Sequence, residues 1–394
     1  MPKVLRIINR FNLGGPTYNA TFLTKFISSD FETLLIGGLP EQGESDSFHI
    51  PEEYGINPVI IPELKRKPSI KSDKEAYQKI KKIILEFKPD IVHTHASKAG
   101  ALGRRAAYAC KVPVIVHTFH GHVFHSYFNL IKTNFFKLIE RRLAKKTTAI
   151  IAISETQKKE LSTIHKICPK EKIKIIPLGF DLLKFQIKIK ENRIITRTKF
   201  NIQEDEVAIA IIGRLTKIKN HAFFLQVCEK TLSAGEKKIK IFIVGDGELK
   251  MQICKDVDRL NKLFNNELIF TSWIKDIAEF NAGMDIICLT SDNEGTPVSL
   301  IEAQASNVAV ISSDVGGVKD IVNEGETGFI VPKGNLEEYV QKLGLLIKNK
   351  ELRTRFSENG WGFVKERFHY TRLTSDMEAL YYELITKSNE KKLR

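Results

Sequence analysis

Glu294 and Glu302 stand with seven residues between them in Glu294-Gly295-Thr296-Pro297-Val298-Ser299-Leu300-Ile301-Glu302, directly after an apolar run at 285–289. Gly295 lets the chain turn, and Pro297 suits the first helical turn, where its missing N–H would have no partner anyway. The amides of Val298 and Ser299, with Thr296 just ahead of them, would then meet a ligand phosphate at a helix N-terminus. Glu294 in the loop and Glu302 about one turn into the helix can face the same ligand. Carboxylates accept the paired hydroxyl hydrogen bonds that sugars and ribose offer. The structural alternative is a helix whose first turn is acidic because of its dipole.

Three further segments fall where apolar runs end. In Gly213-Arg214-Leu215-Thr216-Lys217-Ile218-Lys219-Asn220, Arg214 and Lys219 can bring two cations to one crevice and neutralise a diphosphate without a metal, although two basic residues in a loop are usually solvated. Val244-Gly245-Asp246-Gly247-Glu248 is a Gly-rich turn. The absent β-carbon of Gly245 permits close backbone approach to a ligand, and an ordinary turn would use the same residues. Phe270-Thr271-Ser272-Trp273-Ile274 offers an aromatic ring and backbone amides, unless Trp273 is a core residue.

Histidines cluster at His93, His95, His117, His120, His122 and His125. Imidazoles are metal ligands, but no cysteine or convincing second carboxylate accompanies these. Asp256-Val257-Asp258 is the one Asp-x-Asp in the chain. It lies in a helical pattern, where residues two apart project roughly 200° from one another, so the two carboxylates cannot share an ion.

These segments need a scaffold that gathers strand ends. β-Branched runs at 4–8, 32–36, 90–93, 113–117, 148–153 and 172–176, and again at 207–212, 240–244, 267–270, 285–289, 308–312 and 328–331, alternate with amphipathic stretches. That is the pattern of βα units around parallel sheets, and each half reads as an open, doubly wound α/β domain. A Lys-rich stretch of weak periodicity up to about residue 199 reads as the linker between them. Met377, Leu380, Tyr381, Leu384 and Ile385 are spaced as one face of a last amphipathic helix that must dock on the rest.

The chain has 394 residues, 42% of them hydrophobic and 27% charged, which excludes disordered, collagenous and membrane-spanning classes and predicts two or three domains. Residues 1–190 carry 32 basic against 17 acidic side chains, while the remainder is nearly balanced, so the excess of positive charge lies in the first half. Such asymmetry suits an anionic partner: nucleic acid, anionic lipid or an acidic small molecule. A basic amphipathic segment at 130–146, with the clusters at 65–67 and 79–82, points toward a membrane surface or a pyrophosphate-linked lipid. No nucleic-acid recognition motif accompanies the charge. The five cysteines are isolated and odd in number, which fits a reducing compartment. The N-terminus has no signal-peptide pattern and no run spans a bilayer, so the expected location is the cytoplasm, peripheral to the inner face of the cell membrane.

In order and identity, the motifs G-R-L-x-x-x-K, V-G-x-G, a tryptophan segment and E-x7-E followed by Ala303 resemble the retaining family-four nucleotide-sugar glycosyltransferases (glycosyl transferases group 1) of the GT-B fold. The resemblance covers essentially the whole chain, since Ile153-Ser154-Glu155 and Ile176-Pro177-Leu178-Gly179-Phe180-Asp181 are also similar to that family's passage between domains. It implies two Rossmann-like domains facing across a cleft: an acceptor-binding domain at 1–183, on which the helix at 371–394 packs, and a donor-binding domain at 184–370. It implies that Arg214 and Lys219 bind the donor diphosphate, Glu294 the transferred sugar, Glu302 the ribose and the Trp273–Ile274 backbone the base. Gly14-Gly15 is similar to the family's glycine loop over the donor phosphates, and His120 to its histidine facing the donor sugar. Pro16 and Asn220 depart from the commoner residues.

The implied reaction is metal-independent and retaining, moving a UDP-linked hexose or N-acetylhexosamine to a saccharide or polyprenyl-pyrophosphate acceptor in bacterial envelope polysaccharide synthesis. No cofactor or metal is expected, with the nucleotide sugar serving as substrate. A nucleotide-sugar epimerase or hydrolase on the same fold is the nearest alternative, and a nucleic-acid-binding protein a remote one.

Overall fold

A computed structural model describes the chain except for residues 13–14, 41–46, 66, 68, 121–129, 236–237, 265–267 and 394. The described residues divide into two units, Met1–Phe180 with Phe368–Arg394, and Asp181–Arg367. Each unit is a parallel sheet between helices, a Rossmann-like α/β domain.

In the first unit β1 (Lys3–Arg10), β2 (Glu32–Gly38), β3 (Val59–Ile60), β4 (Ile91–His95), β5 (Val114–Phe119), β6 (Ala149–Ala152) and β7 (Ile173–Ile175) lie in the order β3-β2-β1-β4-β5-β6-β7. Strands buried on both faces must be apolar almost throughout, which is why they stand out as β-branched runs. The exception is β3, two residues at the edge with Val59 40% exposed, too short to leave such a run. Alternate residues of β1 serve opposite faces. Leu5 and Ile7 pack under the Ile70–Phe87 and Ser97–Ala109 helices, whereas Val4 joins Leu373, Met377, Leu380, Tyr381 and Leu384 of the Tyr370–Leu393 helix. That last helix is fixed at its start: Arg372 donates to the carbonyls of Pro177 and Leu178, and a β-carbon on Gly179 would stand 2.6 Å from Leu373 Cβ.

In the second unit β8 (Val207–Ile212), β9 (Ile239–Val244), β10 (Leu268–Thr271), β11 (Ile286–Leu289), β12 (Ala309–Asp314) and β13 (Gly328–Pro332) lie in the order β10-β9-β8-β11-β12-β13. Both sheets therefore reverse their winding once, between β1 and β4 and between β8 and β11. In doubly wound sheets, ligands bind outside the carboxyl ends of the strands at this switch.

The stretch read as a linker contains a helix, Ile189–Lys199. It is held by polar contacts rather than an apolar stripe, so periodicity could not reveal it. Arg193 and Arg197 pair with Asp285 at 2.8 and 3.1 Å, Thr196 packs where Gly283 leaves room, and Ile194 and Ile195 stay exposed. The second Asp285 oxygen also accepts the Ala208 amide, tying this helix to the start of β8.

Candidate functional site

The loop after β8 is shaped by its neighbours before it meets any ligand. Leu215 is fully buried, and its amide donates to the Asp246 carbonyl while its own carbonyl accepts from Leu249. A β-carbon on Gly245 (φ +146°) would stand 2.0 Å from the Gly213 carbonyl oxygen. The glycine that sequence reasoning gave to a ligand is thus required by the protein's own backbone, because the turns after β8 and β9 pack against each other. Asn220 adopts the left-handed conformation (φ +49°), which asparagine tolerates. Its side chain caps the His221–Ser233 helix by accepting from the Phe223 amide.

From this loop Lys219 reaches across the switch to Glu294, with Nζ 2.6 Å from Oε1, and Ser291 Oγ donates to the same oxygen at 2.6 Å. The Glu294 side chain is only 9% exposed, since the ion pair and Ser291 cover it. The loop is pinned by two glycines that sequence reasoning missed. Gly317 N donates to the Glu294 carbonyl, and a β-carbon on Gly316 (φ +50°) would stand 1.8 Å from that oxygen. Their signal was available: Val315-Gly316-Gly317-Val318 follows an apolar strand and opens a short helix. Asp292 completes the frame, its amide donating to the Ile218 carbonyl and its carboxylate taking Lys333 at 3.0 Å.

Arg214 is exposed, and its guanidinium has no side-chain partner among the described residues. Pro297 lies just outside the Val298–Ala305 helix as its N-cap residue instead of in the first turn, because the helix begins one residue later than expected. Val298 and Ser299 remain the first amides and have no intrahelical acceptor. Glu302 is half-buried, and burial pushes its carboxyl up to about 7 against the opposing pull of Lys184. Trp273 is 54% exposed, which rules out the core reading, with Ile274 half-buried beside it. Ser272 Oγ and Lys250 Nζ both donate to Asp246, whose carboxyl lies below the usual carboxylate range through Lys250, then Ser272, then the Gly247 amide.

The first unit presents a different kind of edge. Gly15 opens the Gly15–Lys25 helix with only Leu178 Cδ1 near its missing β-carbon, at 3.6 Å; Gly14, His122 and His125 lie outside the described residues. His93, His95 and His117 are fully buried, and burial holds each well below the ordinary imidazole range. His93 Nδ1 bonds the Tyr381 hydroxyl at 2.6 Å and its Nε2 the Thr118 hydroxyl at 2.7 Å; His117 Nδ1 bonds Thr94 Oγ1 at 2.8 Å. His120 Nε2 stands 2.9 Å from His95 Nδ1, and burial lowers His120 to about 3. These four imidazoles are therefore neutral near pH 7.

The two halves match two family models: Glycosyltransferase Family 4 over residues 14–183, and Glycosyl transferases group 1 over residues 192–361. Among curated proteins, the chain is 28% identical over 337 residues to the UDP-Gal:alpha-D-GlcNAc-diphosphoundecaprenol alpha-1,3-galactosyltransferase of Escherichia coli, covering 84% of each chain. It is also 28% identical over 341 residues to the capsular polysaccharide biosynthesis glycosyltransferase CapM of Staphylococcus aureus, covering 84% of this chain and 86% of that one. Among solved structures, Anabaena Alr3699/HepE in complex with UDP superposes with a TM-score of 0.81 at 18% identity, covering 97% of this chain and 100% of the other. A glycosyltransferase from Rickettsia africae does so with 0.79 at 20% identity and 98% coverage of both.

Proposed function

The chain belongs to the family-four glycosyltransferases of the GT-B fold, and from that premise we propose that it moves a hexose or N-acetylhexosamine from a UDP-sugar, with retention and without a metal, to a lipid-linked or saccharide acceptor of an envelope polysaccharide. The observation that carries this reading is the Lys219–Glu294 pair at the β8/β11 switch, with the exposed cation of Arg214 on the same loop.

A diphosphate leaving group gains negative charge as its bond to the sugar breaks. Arg214, Lys219 and the Val298 and Ser299 amides supply fixed positive charge and donors for it, so no metal is needed. Glu294, paired with Lys219, offers acceptors to the sugar hydroxyls, while Glu302 takes the ribose and Trp273–Ile274 the base. Neither glutamate is left free as a covalent nucleophile in this scheme. The acceptor hydroxyl attacks from the leaving-group face, its proton passes to a phosphate oxygen of the departing UDP, and configuration at the anomeric carbon is retained. The E. coli relative's UDP-Gal donor and diphosphoundecaprenol acceptor, and the UDP in HepE, support the choice of nucleotide and acceptor class.

The basic first unit suits the acceptor and an anionic membrane surface on the cytoplasmic side. Phe135 and Leu138 are 59% and 44% exposed on the Leu130–Lys145 helix, near Arg142 and Lys145. No helix among the described residues is long and apolar enough to cross a membrane. Co-sedimentation with phosphatidylglycerol vesicles, lost in high salt, is the expected behaviour; equal binding to neutral vesicles contradicts it.

Incubation with a panel of nucleotide sugars in EDTA, reading melting temperature and nucleotide release, tests the reaction. Stabilisation by the UDP series and release of UDP despite chelation is the expected result. Isomerised sugar formed from donor alone would assign an epimerase instead, and an inverted product anomer would remove the retaining mechanism.

A further inference from the structure

Two arginines of the first unit are fully buried, and only one has a countercharge among the described residues. Arg104, on the Ser97–Ala109 helix, places Nε on the Gly100 carbonyl at 2.8 Å and Nη2 on Glu140 Oε2 at 2.7 Å. Arg6, inside β1, has no such contacts. Its Nε and Nη2 have no partner, and its side chain makes one hydrogen bond, from Nη1 to Thr24 Oγ1 at 3.5 Å. Nε and Nη2 are the parallel pair of donors with which a guanidinium grips an anion side-on. The two atoms that Arg104 uses are the ones that Arg6 leaves empty.

The surroundings of Arg6 hold dipoles but no negative charge. Arg6 stands two residues after Val4, so it leaves β1 on the face that the Tyr370–Leu393 helix covers. It pairs in register with His93 of β4, and the Tyr381 ring lies 6.0 Å from its guanidinium carbon. His93 is neutral and uses both ring nitrogens on Tyr381 and Thr118. Burial lowers the Arg6 guanidinium, and the only group opposing this is the phenol of Tyr381, with no carboxylate beside it among the described residues. The Thr24 hydroxyl already donates to the Ala20 carbonyl at 2.7 Å. Thr21, one turn earlier on the same helix, carries a buried hydroxyl without a partner. A guanidinium does not shed its proton in a protein. An unpaired buried charge is destabilising, and a water would satisfy its donors while leaving the charge in place.

We propose that the Nε/Nη2 edge of Arg6 holds a small monovalent anion of chloride size between β1 and the Tyr370–Leu393 helix. Complete burial of Arg6 selects a monatomic ion over a nucleotide or lipid phosphate. The site is separate from glycosyl transfer: Arg6 lies four residues short of the end of β1 at Arg10, below the carboxyl edge where ligands of such sheets bind. The anion belongs to the fold, so stability and not turnover is its readout.

The test compares sodium bromide with sodium gluconate at equal ionic strength, gluconate being too large for an enclosed site. The full-length wild type should melt about 2–4 °C higher in bromide. Arg6→Met, which keeps a long side chain without the charge, should melt alike in the two salts. Crystals of the wild type grown in bromide should show an anomalous-scattering peak in contact with both Nε and Nη2. Water or no density at that edge overturns the proposal, whatever peaks lie elsewhere. Equal melting of the wild type in the two salts does the same, as does a bromide shift that Arg6→Met retains. Should Arg6→Met fail to fold, the wild-type bromide map decides alone.

Discussion

The β8/β11 edge of the second unit and the β4/β5 edge of the first are built on parallel sheets of the same winding, yet they end in opposite electrostatics. The former gathers Lys219, Glu294 and Arg214, real charges whose ion pair is held by loops that glycines allow to close. The latter gathers His93, His95, His117 and His120, all kept neutral by burial over an arginine whose remaining donors are unpaired. The contrast fits a division of labour between a charged leaving group, which needs countercharge, and uncharged hydroxyls, which need oriented dipoles. It also predicts that damage at the two edges will be felt in different quantities.

Glu294→Ala breaks the comparison most severely. It should lower turnover by about a hundred- to a thousandfold while the melting temperature changes little, because the backbone of Gly317 still holds the loop. Turnover at the wild-type level would remove the charged edge from the mechanism. Gly316→Ala asks whether position matters as much as charge. Its new methyl would stand 1.8 Å from the Glu294 carbonyl in a left-handed conformation, so the loop must shift. A loss of about a hundredfold with every charged residue intact is expected in initial-rate assays.

Lys219→Ala should weaken UDP binding by about ten- to a hundredfold in titration calorimetry, since it removes a countercharge and leaves Glu294 with Ser291 alone. Wild-type affinity would contradict it. The smallest effect is a pH dependence. Glu302 carries a folded value of about 7, so its carboxylate is lost as pH falls through 7 and UDP affinity should drop several-fold there. The raised value has a second consequence of fixed sign. Between its ordinary 4.5 and 7 the folded chain holds the extra proton, so this group's contribution to stability falls as pH rises through that window. Glu302→Gln should flatten both profiles; a wild-type slope in that variant would place the titration elsewhere.

The same comparison explains what the sequence disclosed. Parallel strands are apolar on both faces, so among the described residues twelve of them were legible as runs and only the edge strand Val59–Ile60 was missed. The second-unit motifs were legible because charge at strand ends is unusual. What could not be read was their mutual contact: that Glu294 is covered by Lys219, and that Gly245 packs against the Gly213 carbonyl, depends on residues 75 and 32 positions away. The helix Ile189–Lys199 escaped because arginines on Asp285, not an apolar stripe, hold it. The histidines were visible as a cluster, but a ring's role is set by which neighbour takes its proton, and no spacing reveals that.

The most direct test is UDP titration of Lys219→Ala and His120→Asn side by side in EDTA, with turnover of UDP-sugar measured on the same preparations. UDP carries the diphosphate but no sugar. Lys219→Ala should lose UDP affinity, whereas His120→Asn should bind UDP as the wild type does and lose turnover. Equal loss of UDP affinity in both variants, or unchanged affinity in Lys219→Ala, would contradict the assignment of charge to the second unit and of neutral orientation to the first.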